Sequence, residues 1–127
     1  MRPINDESRF TPFGKYLRTF LRTCNLCITN IDYVLEDYST KQIMFLEEKQ
    51  NGGFLHRGQK LTFQVVHKLA EASAKHTGYD YWGFFLLTFP RGALLPAQGM
   101  TLNYKPITEK QLKDHLEFKV KFCESLF

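Results

Sequence analysis

The segment from Ile31 to Gln50 constrains this chain most, because it reads as a β-hairpin whose register follows from its residues. One arm is I-D-Y-V-L-E-D-Y, the other is Q-I-M-F-L-E-E-K-Q, and Ser39-Thr40 supplies polar turn material between them. Both arms are rich in β-branched and aromatic side chains, which suit a pleated, half-buried surface. With Ser39 and Thr40 at the tip, Tyr38 pairs with Lys41 and paired residue numbers sum to 79. Asp32 then lies opposite Glu47, at the roughly 5 Å spacing of cross-strand neighbours. Lys49 stands two residues beyond Glu47, so strand alternation puts it on the same face. Two carboxylates and an ammonium converge at one end of a sheet.

That trio outlines a divalent-metal hydrolysis site. Mg²⁺ prefers oxygen ligands and usually takes one or two carboxylates while keeping several waters. A coordinated water is more acidic and can attack a phosphodiester, and the cation offsets charge on the transition state. A neighbouring lysine can orient or deprotonate the attacking water. The bland alternative is a solvated strand end, since Glu-x-Lys is a short and frequent string. A second copy, Glu117 and Lys119, has no aspartate placed opposite it by a hairpin.

Asp32 followed by Glu47-Glu48-Lys49 resembles the PD-(D/E)XK nuclease superfamily, in which an aspartate opens one strand and (D/E)XK closes the next. Gly52-Gly53, then Gly58-Gln59 and a helix carrying Gln64, extend the similarity, which is greatest to small Holliday-junction-resolvase-like and VRR-NUC-type members. The resemblance implies a restriction-endonuclease-like fold. It further implies metal ligation by Asp32, Glu47 and the backbone carbonyl of Glu48, assistance by Lys49 and an accessory role for Gln64. Three departures stand out. Ile31 rather than proline precedes Asp32; the helical stretch Phe13 to Thr23 lacks the glutamate of many relatives, leaving Glu7 upstream; and only Cys24 to Asn30 is available for a preceding strand.

The 127 residues are expected to form one domain from residue 11 onward, with residues 1–10 as a polar arm. A hydrophobic content of 43% and an aromatic content of 15% argue against disorder. Neither a membrane span nor a secretory signal is legible, and three cysteines suggest a reducing, cytoplasmic setting. Cys24-x-x-Cys27 lacks a matching second pair for zinc and enters a strand rather than a helix, so these read as buried thiols. A net charge of +4 is compatible with a polyanionic partner but does not identify one.

After Pro12, Phe13, Leu17, Phe20 and Leu21 form one helical face, and Lys15, Arg18 and Arg22 form another. The basic stripe is a candidate phosphate contact, although such stripes are more often plain solvated faces. A second helix is expected over about Lys60 to Lys75, burying Val65, Val66, Leu69 and Ala72 and exposing Lys60, Gln64 and His67 toward substrate or solvent. Tyr79 to Phe89 reads as a strand buried on both faces, its aromatics mostly core. A short strand, Met100 to Tyr104, precedes Thr108-x-x-Gln111, a capping box opening a last helix. The C-terminal ten residues read as either helix or strand.

These features predict an α/β domain with a mixed sheet flanked by helices, acting as an Mg²⁺- or Mn²⁺-dependent nuclease. The expected substrate is DNA, with RNA not separated from it. Asp32, Glu47, Glu48, Lys49 and Gln64 would form the site; Lys15, Arg18, Arg22 and Lys60 would grip nucleic acid; and two copies would suit duplex or branched substrates. The competing reading is a binding module that keeps the fold without catalysis.

Overall fold

The computed structural model describes residues 11–13, 15–16, 29–50, 53–90 and 99–127. Its elements are β1 (Tyr33–Asp37), β2 (Gln42–Lys49), α1 (Arg57–Thr77), β3 (Asp80–Thr88), β4 (Thr101–Leu102), β5 (Lys105–Pro106) and α2 (Glu109–Leu116). Of the expected first helix, one turn is described, in which the Lys15 amide donates to the Thr11 carbonyl at 2.9 Å. The 1–10 arm with Glu7, Arg18, Arg22 and the Cys24/Cys27 pair lie outside the described residues.

The five strands form one sheet in the order β1-β2-β3-β4-β5. β1 and β2 are antiparallel, β3 runs parallel to β2 after the α1 crossover, and β4 and β5 continue antiparallel, so the sheet is mixed. A parallel pair requires such a crossover, because a tight turn can only reverse the chain. The hairpin register is the one expected: Tyr33 pairs with Leu46 and Asp37 with Gln42. The ladder stops at Asp37 because residues 38–41 all turn. Asp37 Oδ1 accepts from the Ser39 amide, the Ser39 hydroxyl and the Thr40 amide, and Lys41 takes φ 55°.

Alternation along β2 divides the core into two layers. Met44 and Leu46 join Phe85, Leu87, Trp82, Met100, Leu102, Ile107 and Leu112 in an apolar cluster beneath α2. On the other face, Phe45 packs on Phe84, and Phe84 packs on Phe63 of α1. β3 is therefore covered on both sides, as its unbroken apolar sequence requires. Each fully buried leucine or phenylalanine contributes about 1.5–3 kcal/mol.

One expected helix face is corrected. α1 buries Phe63 and His67, whereas Val65 and Leu69 are 57% and 63% exposed. The phase follows partners: Phe63 stacks on Phe84, and His67 packs on Tyr81 and Phe127. Apolar residues surround this helix, so composition alone leaves two candidate faces, and the sheet selects the one with matching rings.

β3 carries a bulge. Ile43 pairs with Tyr81 but Met44 pairs with Gly83, which leaves Trp82 as the extra residue. Gly83 has φ 129°, and a Cβ there would stand 2.4 Å from the Ser125 Cβ. The C-terminal segment uses this space: Ser125 Oγ accepts from the Phe84 amide, and the Leu126 amide donates to the Phe84 carbonyl. The expected strand at Met100 to Tyr104 is instead a tight hairpin, β4–β5, with Asn103 and Tyr104 at positive φ. Asn103 Oδ1 accepts from the Leu86 amide, so this turn also serves the β3 edge. The Thr108/Gln111 capping box forms as expected and opens α2. After Glu117 the chain is neither helix nor strand, and Phe118 adopts φ 60°.

Candidate functional site

β1 begins at Tyr33, so Asp32 sits one residue before the ladder, and Glu47 and Lys49 close β2. The pair Asp32 and Glu47 continues the register, but side chains replace the backbone bonds there. The Asp32 amide donates to Glu47 Oε1 at 3.0 Å, and the Glu48 amide donates to Asp32 Oδ2 at 3.0 Å. This reciprocal clasp ends the hairpin and holds both carboxylates at the same corner. Glu48 itself points to the opposite face, where its carboxylate accepts from the Tyr33 hydroxyl at 3.0 Å. Only its backbone is available to the Asp32/Glu47 corner.

Glu47 is 1% exposed and Lys49 is 2% exposed. Charged groups are rarely buried so deeply unless partnered. Here the partner is a side chain that the sequence reading placed only among the similarities. Gln59, in the first turn of α1, accepts from Lys49 Nζ through Oε1 at 3.0 Å and donates through Nε2 to Glu47 Oε2 at 3.0 Å. Its position follows from the helix phase set by Phe63 and His67, since Gln59, Phe63 and His67 recur every four residues along one face.

The electrostatics follow from burial. Loss of water, with the Asp32 charge as the second cause, pushes the Glu47 carboxyl up to about 7. Burial pulls the Lys49 ammonium down, against the charges of Glu47 and Asp32, which favour it. Two carboxylates against one ammonium leave a surplus of negative charge in a dry corner. Among the described residues no group of three or more His, Cys, Asp and Glu side chains gathers as a metal cluster. The donor set is nevertheless of the type Mg²⁺ takes: two carboxylates, a nearby backbone carbonyl, and room in its coordination for water. A divalent cation would also relieve the repulsion from Asp32, the second of the two causes that raise Glu47. The residues present fit such an ion.

The other expected residues are distributed differently. Gln64 is half-buried on α1 and makes no hydrogen bond to the two carboxylates or to Lys49; five positions from Gln59, it faces another direction. Lys60 is exposed in the first turn of α1, next to Gln59, as is Arg57. Lys15 is exposed. His67 is buried, with Nδ1 2.9 Å from the Tyr81 hydroxyl, and serves the core rather than solvent or substrate. Gly53 backs onto the Lys49 stem, where an added Cβ would lie 3.7 Å from the Lys49 Cβ.

Among the described residues no helix is long and apolar enough to cross a membrane. No family model matches the chain, and no curated protein or solved structure matches it either.

Proposed function

We propose that the protein is a divalent-cation-dependent nuclease that hydrolyses DNA phosphodiester bonds through the Asp32/Glu47/Lys49 corner. The observation that carries this reading is the buried clasp itself, in which two carboxylates and a lysine are brought together at a strand end. Structural needs alone would be met there by apolar residues, since an ion pair of this kind is rarely worth its desolvation.

Asp32 and Glu47, with the Glu48 carbonyl, would hold Mg²⁺ or Mn²⁺. The bound cation would supply charge neutralisation at the phosphate and a more acidic attacking water. Lys49, fixed by Gln59, would orient that water or offset developing charge. Arg57 and Lys60, exposed beside Gln59 in a first turn without acidic residues, would contact neighbouring phosphates. Structure-selective or weakly specific cutting is the form proposed. A resolvase-like enzyme acting as a dimer is one version of it.

The test is cleavage of single-stranded, duplex and four-way-junction DNA in Mg²⁺, Mn²⁺ or EDTA. Lys49→Ala should lower the rate at least a hundredfold while DNA binding stays nearly intact, because truncation removes a transition-state contact. Full activity in EDTA, or undiminished cleavage by this variant, would refute the proposal.

A further inference from the structure

Resting on that reading, we infer that Gln59 is a cation-displaced latch. Its amide occupies Glu47 Oε2 until a divalent cation takes that oxygen, and thereafter it keeps its bond to Lys49.

The argument begins with which end of the amide faces which neighbour. An ammonium has only donors and a carboxylate only acceptors, so the amide oxygen must face Lys49 and the amide nitrogen must face Glu47. The neighbours on both sides fix the orientation. The two oxygens of Glu47 are then held unequally. Oε1 accepts from the Asp32 backbone amide, which the return bond from Glu48 to Asp32 Oδ2 anchors to the hairpin. Oε2 accepts from a side chain with rotatable bonds, carried on a different element. A hard cation offers Oε2 full positive charge where Nε2 offers a partial one, so Oε2 is the oxygen it can win. The Lys49 bond lies at the far end of the same amide and is untouched by that exchange. The ammonium, only 2% exposed, keeps its acceptor in both states. Gln59 is thus a positioning residue that couples cation occupancy to a fixed lysine.

The experiment titrates Mg²⁺ into the full chain and follows the Gln59 side-chain NH₂ pair by ¹H–¹⁵N correlation, assigned through bonds to its own backbone amide. A calorimetric Mg²⁺ isotherm is run in parallel. The NH₂ pair should shift along the calorimetric curve as it loses the Glu47 carboxylate. Gln59→Glu, which keeps an oxygen toward Lys49 and adds one toward the cation, should bind Mn²⁺ about tenfold tighter, since ligand charge tunes affinity. An NH₂ pair that stays still while Mg²⁺ saturates overturns the latch and leaves the nuclease reading standing. Weaker Mn²⁺ binding by Gln59→Glu also overturns it. An absence of Mg²⁺ heat overturns the cation reading and the latch together.

Discussion

The two faces of β2 are one strand with two chemistries. Toward α2, Met44 and Leu46 join an apolar cluster, and His115 is fully buried beside it between Trp82 and Phe85. Toward α1, Phe45 begins the same way, but Glu47 and Lys49 then place charge where the pattern set by Phe45 calls for hydrocarbon. The first layer gains stability from area and shape. The second gives some of it up at a single corner, and that corner is the proposed site.

The largest expected effect breaks the apolar layer. Phe85→Ala should cost about 3–5 kcal/mol, because the ring is fully buried and its removal leaves a cavity. Urea denaturation measures it, and a loss below 1 kcal/mol would mean that the layer repacks freely.

The next effect sharpens the comparison, because the two faces carry opposite pH dependences. Glu47 is raised from 4.5 to about 7, so the folded state holds its proton more tightly. Its contribution is full at pH below 4.5 and falls as pH rises toward 7. His115 is lowered from 6.5 to about 4, by burial first and the Lys121 charge second, so the folded state resists protonation. Its contribution is full above 6.5 and falls as pH drops toward 4. Each is on the order of 3 kcal/mol, and between pH 4.5 and 6.5 the two slopes oppose each other. In EDTA, Glu47→Gln should steepen the rise of stability with pH across that interval, and His115→Gln should turn it toward a fall. Parallel profiles for both variants would show that the faces do not differ in this way.

Smaller again, Thr108→Ala removes the capping-box acceptor of the Gln111 amide and should cost about 1 kcal/mol in a thermal melt, without touching the charged corner. Smallest of all, Leu69→Gln should change stability by less than about 0.5 kcal/mol, since the side chain is largely exposed on the outer face of α1. A large loss there would restore the helix phase expected from sequence.

What could be read from the sequence follows the same division. The hairpin register was legible because a two-residue period and a polar turn leave little choice, and it brought Asp32, Glu47 and Lys49 together correctly. The capping box was legible because it needs only two residues three positions apart in a chain about to turn helical. Gln59 is not singled out and Gln64 is named instead, because the resemblance implies a glutamine on this helix and a phase read from Val65, Val66, Leu69 and Ala72 turns Gln64 outward. Only the rings of Phe84 and Tyr81, supplied by a strand later in the chain, decide that Phe63 and His67 point inward. The signal available in the sequence was the four-residue spacing of Gln59, Phe63 and His67. Gly83 inside an apolar run is the local mark of the bulge, but the segment that fills the space beside it, at Ser125, comes 42 positions later.

That bulge also has a consequence in time. Asp32 and Glu47 lie fifteen positions apart across one hairpin, and hairpins close within about 1–10 μs. The Phe84 amide finds its acceptor at Ser125, 41 positions later, and the Phe127 ring lies against Phe84 and His67. Contacts of such long range are slow to form. The Asp32/Glu47 clasp is therefore among the first parts of the chain to meet, and the central strand beside it is among the last to be sealed.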